Sequence, residues 1–318
     1  MVDRSKQIVT VFGGDGFIGR YVCECLLTSG VRVRVASRDT RNSYFIQPLG
    51  QVGQFGFVKA DITNPESVER AVDGAAAVIN LVGTFGRRMR AVHVDGARNV
   101  AEAARKAGAG ALVHISAIGA DPDSPSSYGR TKGEGELAVR KAFAGATVIR
   151  PSLVFGAEDN LTNRFAAMAR LPILPVIAAA RRFQPVYVRD IAKAIAGAAL
   201  HPEKHAGKTY EIGGPQVLSM VELHRAVLDL TGQRPEILEL PDLFGAALSR
   251  FGWIPGAPLT RDQWLMLQRD NVPAKGAPGL EAFGIEPMPL AAVGHEWLGR
   301  FRPGGKFVGR RIHLTAIS

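Results

Sequence analysis

Residues 7–12 read QIVTVF and residues 13–19 read GGDGFIG, and the fold class follows from what these positions must do. The apolar, β-branched run predicts a short strand. Gly14, Gly16 and Gly19 then predict a tight turn opening directly into a helix, RYVCECLLTSG, that stops at Gly30. Strand, glycine turn and helix in that order bring bare backbone amides and the positive end of a helix to one spot, which suits a pyrophosphate. In a chain with 36 glycines the string alone means little, and the flanking strand and helix give it weight. Gly13, Gly14, Gly16, Phe17, Ile18 and Gly19 are therefore candidate dinucleotide contacts.

Outward from this turn the same unit repeats. VRVRVASR (31–38), FGFVKADI (55–62), AAVINLVG (76–83), ALVHISAIGA (111–120) and ATVIRPSLVFG (146–156) read as strands. NPESVERAVDG (64–74), HVDGARNVAEAARKAG (93–108) and SYGRTKGEGELAVRKA (127–142) read as helices between them. Strands alternating with helices of this length predict an α/β fold, a Rossmann-type doubly wound parallel sheet with a smaller, mostly C-terminal α/β lobe. The dinucleotide domain is expected over residues 1–155, with 183–215 returning to it, and the smaller lobe over 156–182 and 216–318. In that lobe SMVELHRAVLDLTG (219–232) is a helix with Ser219 as N-cap and Glu222 completing a capping box.

The end of the second strand discriminates between cofactors. An acidic residue there would accept hydrogen bonds from the ribose hydroxyls of NAD, whereas a guanidinium would pair with the 2'-phosphate of NADP. The strand ends in Ser37-Arg38, and Arg38 falls 19 residues after Gly19, which favours NADP(H); Asp39 follows at once, and a shift of one residue would restore NAD(H). Asp61 and Ile62 close the third strand where adenine would lie, a loop-capping role for Asp61 being the alternative. Leu81, Val82 and Gly83 close the fourth strand along the cofactor's far half, and Pro151 closes the sixth.

Tyr128 and Lys132 stand one helical turn apart on one face. An ammonium so near is expected to lower the phenol's pKa and to hold the nicotinamide ribose, so that the pair moves a proton while hydride moves to or from the ring.

The strings GGDGFIG, HVDGARNVAEAAR, YGRTK, RPSLVFG, QPVYVRDIAKAI and YEIGGP, in this order, resemble the extended short-chain dehydrogenase/reductases of the epimerase/dehydratase type, from about Gln7 to Pro215. The resemblance implies a Ser or Thr near the end of the fifth strand that binds the substrate oxygen beside the tyrosine. Ala117 occupies that position and Ser116 stands one residue early, where a strand would direct it away from the pocket. With the proton-transfer set incomplete, the chain is similar to an atypical branch that includes the NADPH-binding accessory subunits of respiratory complex I, NADH:ubiquinone oxidoreductase. That likeness implies docking on complex I or another membrane complex with little or no turnover. An active NADP-dependent reductase or epimerase on a quinone, sugar nucleotide or small carbonyl compound is the alternative, and a sensor of NADP(H) ratios a third.

Bulk properties limit the remaining choices. The 318 residues are 46% hydrophobic and carry a formal charge of +10, a globular composition whose field attracts phosphates, acidic proteins or an anionic lipid surface. Nucleic acid is not expected, because no finger or RNP-type motif occurs and aromatics are only 7%. Cys23 and Cys25 lack a second pair of ligands, so no metal is expected. No signal or spanning segment is evident, which makes a cytoplasmic location the default expectation, with peripheral contact on the cytoplasmic face of the inner membrane as its variant. The segment LPDLFGAALSRFGWIPGAPL (240–259) reads either as a core helix or as an interface element carrying Trp253. Arg300, Arg302, Lys306, Arg310 and Arg311 form a basic end that reads as a solvated tail or a docking surface.

Overall fold

The structure is a computed structural model that describes residues 4–254 and 259–304. Its centre is a seven-stranded sheet of β1 (Ile8–Phe12), β2 (Arg32–Ser37), β3 (Phe55–Lys59), β4 (Ala77–Asn80), β5 (Ala111–Ile115), β6 (Thr147–Pro151) and a last strand, Thr209–Ile212. Across the sheet the order is Thr209–Ile212, β6, β5, β4, β1, β2, β3, with every neighbouring pair parallel. The chain thus winds outward from β1 in both directions, and the reversal between β1 and β4 opens a crevice at their carboxyl ends.

Alternation of side chains along each strand builds two cores, one per face. Val9, Val11, Val33, Val35, Ile79 and Val113 pack on one side with α1 (Phe17–Thr28) and α6 (Val188–Leu200). Phe12, Ala36, Val78 and Leu112 pack on the other with α2 (Pro65–Val72), α3 (Ala97–Lys106) and α4 (Ser127–Ala142). Thr10 is the polar exception within β1, and its hydroxyl donates to the Ala71 carbonyl at 2.9 Å.

The fifth strand is shorter than its apolar pattern suggests. Beyond Ile115 the Ser116 amide still donates to Ile149 and the Ile118 amide to Pro151, but a turn closed by the Ala120 amide on Ala117 ends the run, with Gly119 at φ +84°. The strand Thr209–Ile212 lies beside β6, so the chain returns to the main sheet after α5 (Asn160–Met168) and a strand, Ile173–Ile177. That strand pairs in parallel with Glu236–Leu240. The helix Met220–Thr231 starts from the Ser219–Glu222 capping box and ends at Gly232 in the left-handed region.

The helix Asp242–Ser249 is not a core helix. Gly245 packs under Trp264, but Leu243 and Trp253 are 77% and 79% exposed, and Phe244 and Phe251 are exposed beside them. Of the basic end, Arg300 and Arg302 are described, Arg300 donating to Asn163 at 2.6 Å; Lys306, Arg310 and Arg311 lie outside the described residues. Among the described residues no helix is long and apolar enough to cross a membrane.

Candidate dinucleotide site

The glycine turn works by close approach. Gly13 adopts φ +76°, which a side chain would strain. A Cβ on Gly19 would overlap the Gly13 carbonyl oxygen and come within 2.6 Å of Gly14 Cα, so the first turn of α1 reaches the loop only because position 19 is bare. Gly14 faces the helix and sheet instead, with Cys23 Sγ and Val35 each 3.0 Å from a Cβ there. Gly16 caps α1 without a side-chain bond, leaving the leading amides of the helix open for an anion.

Of the sequence-selected residues, Gly13, Gly16, Ser37, Arg38, Asp61, Ile62, Leu81, Val82 and Gly83 line one cleft above the carboxyl ends of β1 to β4. Gly14, Phe17, Ile18, Gly19 and Pro151 do not line it. Phe17 meets Tyr21 edge to face, Ile18 packs against the core, and Pro151 is buried at the end of β6. Phe12, Asp15, Ala36, Ala60, Thr84, Arg88 and Val92 complete the wall.

The end of this cleft beside β2 and β3 is polar. Ser37 Oγ donates to Asp15 at 2.6 Å. Arg38 is exposed and makes no hydrogen bond or ion pair with another described residue, whereas Asp39 accepts from both the amide and the guanidinium of Arg41. Those bonds hold the Asp39 carboxyl below the usual carboxylate range, and the residue does not line the cleft. Asp61 lines the cleft and also caps its loop, accepting from the Thr63 amide at 2.9 Å and the Thr63 hydroxyl at 2.8 Å. Partial burial pushes this carboxyl up, but the two Thr63 bonds, with Arg88 and Arg38 nearby, leave it below its ordinary value.

At the other end, Gly83 joins the cleft to the tyrosine and lysine of α4. A Cβ there would stand 3.5 Å from Lys132 Nζ and 3.8 Å from His93 Nε2. Lys132 is buried and donates to the Ile115 carbonyl at 3.0 Å. Burial pushes it down to about 8 against the opposing pull of Glu136 one turn further along. Its ammonium meets Tyr128 over the ring face, 5.9 Å from the centroid. The phenol is therefore not lowered as the spacing suggests: desolvation raises Tyr128 to about 12, and Phe85 stacks on it at 4.7 Å. Ser116 is buried, its hydroxyl has no partner, and it lines neither the cleft nor the small pocket of Gly119, Ser124, Leu265 and Met266 beside Tyr128.

Three contributors lay outside the sequence reading. His93 sits in a π-helical turn, Ala91–Gly96, ahead of α3; it accepts from the Thr84 amide at Nε2 (3.1 Å), which leaves Nδ1 to donate to Thr131 Oγ1 (2.9 Å). Burial, reinforced by the Lys132 ammonium, pushes its pKa down to about 3, so it stays neutral and ties the Thr84 loop to α4. Asp262, from the helix Arg261–Met266, accepts from the first amides of α4. Arg88 stands at the cleft rim beside Asp61. Only the π-turn residue carried a signal, a histidine set between two valines, Val92 and Val94, on the apolar side of its stretch.

Among the described residues no group of His, Cys, Asp and Glu is placed to hold a metal. The cleft fits a dinucleotide on its own geometry: a bare glycine approach, open helix amides, and cations at one rim.

A model of the NAD dependent epimerase/dehydratase family matches residues 9–213. The chain is 33% identical to the Rattus norvegicus protein named NADH dehydrogenase [ubiquinone] 1 alpha subcomplex subunit 9, mitochondrial, over 94% of this chain and 81% of that one. It is 30% identical to a ceramide reductase of Caulobacter vibrioides over 76% of each chain. Among solved structures, an NADPH-dependent quinone oxidoreductase from Escherichia coli, complexed with NADPH, shares the fold at a TM-score of 0.72 and 20% identity, over 89% of this chain and 97% of that one. The cleft, the winding of the sheet and these matches agree: the chain belongs to the NAD-dependent epimerase/dehydratase family, within the extended short-chain dehydrogenase/reductases.

Proposed function

We propose that this protein holds NADP(H) as a resident ligand and serves as an accessory or assembly subunit of NADH:ubiquinone oxidoreductase, with little or no turnover. The observation that carries the cofactor choice is the division of labour after β2. Arg38 is unpaired at the cleft, while Asp39, the group that would favour NAD, is engaged by Arg41. A guanidinium so placed recognises a 2'-phosphate through charge-assisted bonds.

Low turnover is supported by three features. Ala117 stands where the family's hydroxyl is expected, Ser116 is buried and unpartnered, and Tyr128 lies under Phe85 with its phenol pushed up to about 12. Losing one transition-state donor costs about 10² to 10³ in rate. The accessory role is supported by the likeness to the rat subunit and by the exposed Leu243, Phe244, Phe251, Trp253 and Ile254, an apolar surface suited to a protein partner. The second reading, an active NADP-dependent reductase, is favoured by Tyr128 and Lys132 sharing one face of α4 beside Gly83, and by the likeness to the ceramide reductase.

Denaturing the purified protein and identifying the released nucleotide tests the cofactor; recovery of NAD(H) alone would overturn it. Hydride-transfer assays with Tyr128→Phe as control separate the two roles, since turnover lost in that variant would establish the enzyme. Copurification with the complex from solubilised membranes tests the docking. Binding to anionic vesicles that persists at high salt and is lost in Trp253→Ala would instead assign the apolar surface to lipid.

A further inference from the structure

We propose that Arg88 is a second specificity residue for the cofactor, a guanidinium that leaves Asp61 to close on the 2'-phosphate opposite Arg38. This rests on the NADP(H) reading above and deepens it.

The argument begins with charge. The adenosine end of the cleft is lined by two carboxylates, Asp15 and Asp61, as well as by Arg38 and Arg88. A monoester phosphate brings close to two further negative charges at neutral pH. With Arg38 as the only cation, the two carboxylates would outweigh it before the phosphate enters. Arg88 offsets the second carboxylate from the other side of the crevice. Arg38 follows β2 and Arg88 follows β4, so the two reach the rim from loops on opposite flanks of β1.

Arg88 is also free to move at small cost. Its ion pair with Asp61 Oδ2 is 3.6 Å long, beyond a hydrogen bond, and its bond to Thr63 Oγ1 is 3.3 Å. The side chain is 55% exposed, and an exposed pair of this kind contributes little. Asp61 does not depend on it, because Oδ1 already accepts from the Thr63 amide and hydroxyl. Arg88 lies just beyond Gly86, which adopts φ +90° and sets the turn that projects it. Its present contacts are therefore a resting position at the edge of the ligand's path, while the neighbouring loop is anchored by the His93–Thr84 bond.

The test is the affinity of the full-length protein, freed of nucleotide, for two probes that differ only in the 2'-phosphoryl group: 5'-AMP and adenosine 2',5'-bisphosphate. Wild type is expected to prefer the bisphosphate. Arg88→Gln is expected to lower that preference about tenfold or more, by weakening the bisphosphate far more than 5'-AMP, the scale of one charge-assisted bond. Arg88→Lys, which keeps the charge, is expected to recover part of the preference and to restore the share of the salt dependence that the Gln variant loses, Arg38 supplying the rest in both.

Equal weakening of both probes in Arg88→Gln would overturn the proposal and make the side chain an adenine-stacking group. An unchanged preference in that variant, with loss in Arg38→Gln, would also overturn it while leaving the NADP(H) reading intact. Absence of any preference in wild type would instead bring down the NADP(H) reading itself. Thermal unfolding of each variant, with 5'-AMP binding as a second check on the fold, keeps a folding defect from passing for a recognition defect.

Discussion

The carboxylate of Asp262 grips the first turn of the helix that carries Tyr128, accepting from the Tyr128 amide at 3.1 Å and from the Ser127 amide at 2.5 Å. Ser126 supplies a separate cap by accepting from the Gly129 amide at 3.2 Å. A single acidic group from the helix Arg261–Met266 thus satisfies two open donors of α4 and places a negative charge at the helix's positive end. Its own helix is fixed by the Thr260–Gln263 capping box.

Asp262→Ala is therefore expected to lower stability by about 1 to 2 kcal/mol, measured by urea unfolding. It should also speed hydrogen exchange at Ser127 and Tyr128 above that of other α4 amides. Unchanged exchange at those two positions would show that the contact does not hold the helix start.

The glycine turn makes an ordered pair of expectations. Gly19→Ala drives a Cβ into backbone atoms of Gly13 and Gly14 and should abolish dinucleotide binding in titration calorimetry, with a stability loss of about 1 to 3 kcal/mol. Gly14→Ala meets only side-chain atoms of Cys23 and Val35 and should be milder on both counts. The reverse order would mean that the helix does not abut the loop.

Two buried histidines set an acid limit. His93 and His114 are both pushed down to about 3, by burial first and the Lys132 ammonium second. Unfolding lets each return to its ordinary value near 6.5, so the unfolded chain binds more protons between about pH 6.5 and 3 and stability falls as the pH drops through that window. At pH 5 the loss is about 2 kcal/mol per histidine. Urea unfolding at pH 7 and pH 5 measures it, and His114→Asn should be visibly less acid-sensitive than wild type; identical slopes would remove His114 from the account.

The phenol offers a direct optical check. With Tyr128 pushed up to about 12, the phenolate difference spectrum between wild type and Tyr128→Phe should stay flat through pH 10. A transition near neutral pH would restore the lowered phenol that the Tyr–Lys spacing suggests.

The sheet was legible because its evidence is local: alternation within strands, and glycines at fixed offsets beside them. The Tyr128–Lys132 pair was legible for the same reason, but its electrostatics were not. Spacing brings the ammonium within a turn, whereas the fold sends Lys132 to the Ile115 carbonyl and covers the ring with Phe85. His93 with Thr131, and Asp262 with Tyr128, are 38 and 134 residues apart, and no local pattern encodes such meetings. The exposed face around Trp253 shows the opposite difficulty, since apolar residues at helical spacing look alike whether they meet a core or a partner.

The strand Thr209–Ile212 has a consequence for synthesis on the ribosome. Until it emerges, Thr147–Pro151 presents a bare row of amides and carbonyls at one margin of an otherwise finished sheet. A nascent chain halted before residue 209 should seek that missing neighbour in another copy of itself and aggregate, while one extended past residue 212 should remain dispersed.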